Sequence, residues 1–185
     1  DQKEVLIEEE CLKILALHQP VANDLRFIVA VLKVNNDLER MGDLAVNIAE
    51  RAVYLSNGDP LSVALDFPQM AEDVRNMVRK SLDALTRRDA QEAVQVLTMD
   101  DEIDDANSRM FDILQKHMHR DPTTIERAVQ LLSASRHLER IADLATNIAQ
   151  DVVYMVEGKV IRHLTENFSD LRNQSSDTKS KTAED

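Results

Sequence analysis

Apolar positions recur at alternating spacings of three and four along two long stretches of the chain. Val31, Val34, Leu38, Met41, Ala45, Ile48, Ala52 and Leu55 form one seam; Leu131, Ala134, Leu138, Ile141, Ala145, Ile148, Val152 and Met155 form the other. Side chains that return about every 3.5 residues share one stripe of an α-helix, so helices are predicted over 21–56 and 121–157. Asn57-Gly58-Asp59-Pro60 closes the first and Gly158 the second, because Gly takes the left-handed conformation of a helix end and Pro cannot continue a helix. Upstream, 2–17 reads as a helix with Val5, Leu12, Ile14 and Leu15 on its apolar side. Pro20 breaks it, and Asn23 or Asp24 has the right chemistry to cap the next helix. Two further helices are predicted, 67–86 and 89–117, with Arg87-Arg88-Asp89 as a bend between them. A short helical piece over 160–168 and a polar, Ser-rich tail over 169–185 complete the expectation.

The two seams belong to an internal repeat. Residues 38–50 (LERMGDLAVNIAE) align with 138–150 (LERIADLATNIAQ) at nine of thirteen identical positions, and Val53-Tyr54 is echoed by Val153-Tyr154. Helical patterning alone reproduces leucines and alanines; it does not reproduce Glu, Arg, Asp and Asn together. A duplicated helical unit is therefore expected, with the two long helices superposing in like environments. The first unit spans 1–58 and the second 61–158, followed by the 159–185 tail. The second unit has three predicted helices and the first only two, so the missing one is expected to be an N-terminal helix.

Composition narrows the class. The 185 residues contain 3 Gly, 4 Pro, no Trp and 3% aromatics, too few turn formers and strand formers for a sandwich, barrel or α/β fold. The fold class is all-α. The net charge of -12 argues against binding a nucleic-acid backbone, which requires Lys and Arg to displace counterions. Cys11 is the only cysteine; it is read as a core residue in a reducing, cytoplasmic setting. The longest apolar run, 27–32, is far too short to span a bilayer.

Beside each seam runs a polar stripe: Glu39, Asp43, Asn47 and Glu50 in the first long helix, Glu139, Asp143, Asn147 and Gln150 in the second. Spacings of three and four stack these side chains on one face, where like charges repel. The 89–117 segment carries Asp100-Asp101-Glu102-Ile103-Asp104-Asp105, in which Asp100 and Asp104 repeat the same spacing. If that helix lies antiparallel to 121–157, Asp100 and Asp104 face Glu139 and Asp143. Four converging carboxylates call for protons or for hard, oxygen-preferring cations: Mg, Mn, Fe or Zn. Asp1 is the counterpart of Asp104 in the first unit. Alternatively, both stripes are solvated faces of a plain helical scaffold. The histidines are scattered, no catalytic Ser, Cys or His arrangement is present, and no Gly-rich loop offers a backbone nest for phosphate. A metal-dependent hydrolase would additionally need an open coordination position, a cleft and a general base, none of which the sequence displays.

The stretch Leu17-His18-Gln19-Pro20-Val21-Ala22-Asn23-Asp24-Leu25-Arg26, followed by Asp37-Leu38-Glu39-Arg40-Met41-Gly42-Asp43-Leu44-Ala45-Val46-Asn47-Ile48-Ala49-Glu50, resembles the PhoU family of bacterial phosphate-uptake regulators. The resemblance covers about residues 1–165 and implies two similar three-helix bundles in tandem, of which this chain has five helices and lacks the first. It further implies multinuclear clusters of divalent or trivalent metal ions. Carried onto this chain, the ligands are Glu39 and Asp43 with Asp1 in the first unit. In the second they are Glu139 and Asp143 with Asp100 and Asp104, and Asn147 lies a turn along. The second repeat departs at Ala142 for Gly42 and Gln150 for Glu50, which is expected to weaken its site slightly. The implied role is that of a cytoplasmic, non-enzymatic negative regulator. It would couple the phosphate ABC transporter to a phosphate-sensing histidine kinase, with a homodimer as a further association.

Overall fold

The computed structural model describes residues 2–158. Six α-helices run in order: α1 (Gln2–His18), α2 (Ala22–Ser56), α3 (Phe67–Arg87), α4 (Ala90–Leu97), α5 (Asp100–Arg120) and α6 (Ile125–Glu157), with a 3₁₀ turn at Pro122–Thr124 leading into α6. Among the described residues 88% are helical and none forms a strand. The expected 160–168 helix and polar tail lie outside the described residues, as does Asp1.

One segment differs from expectation. The single helix predicted over 89–117 is two, α4 and α5, so the described residues hold six α-helices rather than five. Asp89 caps α4, its Oδ1 accepting from the Gln91 and Glu92 amides at 2.9 and 3.0 Å. At the other end the amides of Thr98 and Met99 reach back only three residues, to the carbonyls of Gln95 and Val96. That tighter winding ends α4, and α5 restarts at Asp100 with three acids in its first turn, where the positive end of the helix dipole favours them. The Arg87-Arg88-Asp89 bend is present: Arg88 takes the left-handed conformation at φ 54. The cap expected from Asn23 or Asp24 is not formed. Gln19 and Ala22 turn through positive φ of 45 and 49, which brings helical backbone forward to Ala22. Val21 then occupies the N-cap with no side-chain hydrogen bond, and Asn23 instead accepts from Arg26 one turn along.

The long helix α6 is the centre of the molecule, packed by α2, α3, α4 and α5, while α1 lies against α2. The duplication is visible in contacts. Cys11 of α1 and Leu114 of α5 occupy corresponding positions and both are buried. Asn35 Nδ2 donates to the Glu4 carbonyl at 2.9 Å, and Ser135 Oγ donates to Asn107 Oδ1 at 2.6 Å in the matching place. The helix ends match as well: Arg127 Nη2 donates to the Leu55 carbonyl at 2.7 Å beside Gly58, and Arg26 packs on Gly158.

The environments of the two long helices are nevertheless unlike. Val153 is 2% exposed and its counterpart Val53 66%; Met110 is 3% exposed and Ile7, in the corresponding position, 41%. In the second unit α3 and α4 cover that face. Among the described residues nothing equivalent covers α1 and α2, so the same seam is a core in one unit and a partly open surface in the other. The core itself runs through Met70, Met77, Val96, Ile103, Ile148 and Val152.

Between α2 and α6 the packing is not wholly apolar. Lys33 Nζ lies 2.6 Å from Asp151 Oδ1, and Asp37 is buried beside them with Arg40 at 3.6 Å in its own helix. Burial raises the Asp37 pKa first of all; Asp151 adds to the rise, while Arg40 and Lys33 oppose it. Arg40 thus serves its own helix rather than bridging to a neighbour.

Candidate metal centre

The restart of the chain at Asp100 decides how the acidic groups are presented. Ile103, Met110 and Leu114 bury one face of α5, which leaves Asp100 and Asp104, a turn apart, at the edge of the contact with α6. On α6 the run Ala142, Leu144, Ala145, Ile148 and Ala149 is buried, and Glu139 and Asp143 border it. The small alanines let α6 approach its neighbours closely and draw the bordering carboxylates toward α5.

These four groups act on one another. The pKa of Asp100 is pushed up to about 6, first by burial and then by the charges of Asp104 and Asp143. Glu139 is raised by burial and then by Asp104, with Arg136 and Arg140 opposing. Asp143 keeps an exposed edge, yet the protein around its carboxylate is dense enough that desolvation leads its upward shift, followed by Glu139 and Asp104. One oxygen of Asp100 is buried without any hydrogen-bond partner, as is the hydroxyl of Thr146 on α6. Thr146 lies near enough to Asp100 to favour its ionised form but outside hydrogen-bond geometry.

Asp100, Asp104, Glu139 and Asp143 therefore lie within electrostatic reach of one another across α5 and α6. Their side chains are not drawn into a finished ligand sphere: among the described residues no three His, Cys, Asp or Glu groups converge tightly enough to hold a metal ion as they stand. The donor set still suits a hard cation, because an orphaned, buried carboxylate oxygen surrounded by like charges is the group a cation would relieve. Asn147 is exposed on the next turn. Thr146 is the neighbour of Asp100 that sequence reasoning missed. It stands where the first unit has Val46, and a hydroxyl at one of the few positions where the repeats differ was the available signal. In the first unit Glu39 is half-buried and Asp43 exposed on α2, away from the acids of α5; their expected companion Asp1 is outside the described residues.

Comparison with known proteins bears on what this helical pair belongs to. The family model described as the PhoU domain matches residues 1–52 and 67–152, which covers both units and leaves out the loop between α2 and α3. The chain belongs to the PhoU family. A Pseudomonas putida protein named phosphate-specific transport system accessory protein PhoU homolog is 42% identical over 165 residues, 89% of this chain and 64% of that protein. A protein of the same name from Aquifex aeolicus is 40% identical, over 88% of this chain and 74% of its own length. The chain therefore spans about two thirds to three quarters of the relatives it matches. The crystal structure of PhoU from Pseudomonas aeruginosa superposes with a TM-score of 0.82 at 40% identity, over 85% of this chain and 76% of that one. The phosphate transport system regulatory protein PhoU from Streptococcus pneumoniae gives 0.74 at 29% identity, over 86% and 74%. The all-α, duplicated PhoU architecture expected from the sequence is the one observed.

Proposed function

We propose that this PhoU-family chain is a non-enzymatic, metal-binding adaptor that restrains high-affinity phosphate uptake. Membership of a family whose relatives are named for the phosphate-specific transport system carries the reading. Its partners are the cytoplasmic face of the phosphate ABC transporter and a phosphate-sensing histidine kinase. No helix among the described residues is long and apolar enough to cross a membrane, which suits a protein that docks on membrane partners from the cytoplasm. The charge of -12 favours basic partner surfaces and speeds encounter with them.

Asp100, Asp104, Glu139 and Asp143 would hold the cation in the second unit, and Glu39 and Asp43 with Asp1 in the first. A bound divalent or trivalent ion would supply charge neutralisation that converts carboxylate repulsion into a clamp between α5 and α6. Asp100 offers the orphaned oxygen, Thr146 a hydroxyl to orient it, and Arg136 and Arg140 limit the negative field around Glu139.

The test pairs elemental analysis of protein purified without chelator with co-purification of the transporter and the kinase, for wild type and Asp143→Asn. Stoichiometric metal and capture of both membrane proteins by the wild type are expected, with less metal in the variant. Wild-type protein that carries no metal and captures neither partner would overturn the proposal.

A further inference from the structure

The antiparallel contact between α2 and α6 has two ends related by the internal repeat, and their charges are opposite. At one end Asp151 of α6 meets Lys33 and is close enough to Asp37 to raise its pKa. The repeat offset of one hundred residues carries this arrangement to the other end, where Arg51 of α2 replaces Asp151 and Ser133 and His137 of α6 replace Lys33 and Asp37. Two buried acids at the first end found their cation in Lys33. The corresponding pair at the second is Arg51 and His137, and Ser133 carries no charge to answer them.

Among the described residues no other side chain answers them. Arg51 Nε and His137 Nδ1 are both buried without a hydrogen-bond partner, and among the described residues no carboxylate pairs with Arg51. On α6 Arg140 follows His137 by three residues and adds a further positive charge, not an acid. The acids of α6 in this region are engaged elsewhere: Glu126 accepts from the Tyr54 hydroxyl at 3.3 Å, and Glu139 and Asp143 belong to the cluster with α5. A buried N–H such as that of Arg51 Nε is costly to leave unmade.

We propose that Arg51 and His137, facing each other across α2 and α6, with Arg140 at the rim, form a binding site for a small tetrahedral oxyanion. A guanidinium offers a planar fork of donors matched to two oxygens of such an ion. His137 presents a ring nitrogen from the opposite helix, and the Ser133 hydroxyl is positioned by the repeat on the same side. An ion with oxygens in several directions can accept from both helices at once, which a chloride or a single carboxylate cannot do as fully. The site uses side chains and not a backbone nest, so the lack of a Gly-rich loop does not weigh against it. Arg140 at its rim also acts on Glu139 and Asp143, so the site borders the carboxylate centre, but its donors Arg51 and His137 are not among the residues assigned to the metal.

Calorimetric titration of chelator-treated protein in chloride buffer with inorganic phosphate tests it, with sulfate and O-phosphoserine as parallel titrants. Wild type should show one saturable site for phosphate, and phosphate should raise its melting temperature. Arg51→Gln should lose at least tenfold in affinity and the melting shift, and His137→Gln several-fold. In phosphate-free buffer Arg51→Gln should melt no lower than wild type, because it removes an uncompensated cation. If that variant fails to fold, Arg51→Lys keeps the charge without the fork and should still bind more weakly than wild type. No saturable binding at millimolar phosphate, or equal affinity in all three proteins, would overturn the proposal. Tighter binding of O-phosphoserine would assign the site to a phosphorylated partner and overturn the free-ion assignment.

Discussion

Replacing Asp100 by Asn isolates the electrostatic strain between α5 and α6. Its carboxyl is raised from 3.8 to about 6, chiefly by burial and then by Asp104 and Asp143. An acid whose pKa is higher in the folded than in the unfolded chain is held protonated longer by the fold. Its contribution is therefore most favourable below pH 3.8, is lost progressively as pH rises toward 6, and levels off above that. At about 1.4 kcal/mol per pKa unit the full shift corresponds to about 3 kcal/mol. Asp100 retains contact with solvent, and screening reduces the effect to about 1–2 kcal/mol. Because the charge of Asp100 also raises Glu139, part of the gain comes from relief of Glu139.

In chelator, Asp100→Asn should accordingly be more stable than wild type at pH 7.5 by about 1–2 kcal/mol, which for a chain of this size is about 3–6 °C in melting temperature. At pH 4.5 the difference should shrink to about a third to a half of that, since the wild-type group is then largely protonated in the fold but already mostly ionised in the unfolded chain. Added Mn should reverse the order, because the wild type gains a ligand-linked increment that the variant lacks. Melting curves at both pH values, with and without Mn, supply the comparison. A variant less stable than wild type in chelator at pH 7.5, or a difference unchanged between pH 4.5 and 7.5, would refute the electrostatic reasoning. An identical response of both proteins to Mn would remove Asp100 from the ligand set.

Packing sets the remaining expectations. A Cβ at Gly42 would meet nothing within 4 Å, so Gly42→Ala should stabilise this chain by up to about 1 kcal/mol through helix propensity, measured by urea unfolding. The matching change Ala142→Gly, at a fully buried site, should cost at least about 1 kcal/mol for the same reason plus lost contact. Leu114→Ala, which empties a fully buried position between α5 and α6, should cost about 2–5 kcal/mol in the same assay. Lys33→Met should destabilise by about 1–2 kcal/mol at pH 7, because Asp151 loses the cation 2.6 Å away and Asp37 is left with Arg40 alone, while solvent at Lys33 screens part of the loss. The additional change Asp151→Asn should recover most of that loss.

What could be read from the sequence was set by periodicity and duplication. The two seams located α2 and α6 closely, because each seam runs for many turns without interruption. The repeat of Glu-Arg-x-x-Asp-Leu-Ala-x-Asn-Ile placed Glu139 and Asp143 beside the helix that carries Asp100 and Asp104. The break between α4 and α5 was not read, because Thr98-Met99 contains neither Gly nor Pro and the apolar pattern continues through it. The acids Asp100-Asp101-Glu102 carry the signature of a helix's first turn, but the same acidic run equally suits a ligand cluster inside a longer helix. Asn23 failed as a cap because backbone at positive φ in Gln19 and Ala22 shifted the helix start, and such conformations in non-glycine residues leave no compositional trace. Thr146 escaped because its importance lies in a distance across helices.

The duplication explains why two nearly identical helices carry different duties. Where α3 and α4 cover the α6 face, alanines and valines are sealed, the acids at its border are desolvated, and Asp100, Glu139 and Asp143 are all shifted upward. On α2 the same Glu-x-x-x-Asp pair stands beside a face that stays open among the described residues, with Val46 59% and Val53 66% exposed. Desolvation is the first cause of every upward shift in the α5–α6 cluster, so the covering helices, and not the acidic motif, turn the stripe into a strained group. The same logic extends to the contact between the long helices. There the repeat carries Lys33 against Ser133, and that difference leaves one end neutralised and the other with Arg51 and His137 unanswered. Substituting Ser133 by Asp would restore an internal partner for Arg51. If the open end is a site for an oxyanion, Ser133→Asp should raise the melting temperature in phosphate-free buffer and abolish the phosphate-dependent shift. A variant that still responds to phosphate as the wild type does would show that the ion binds elsewhere.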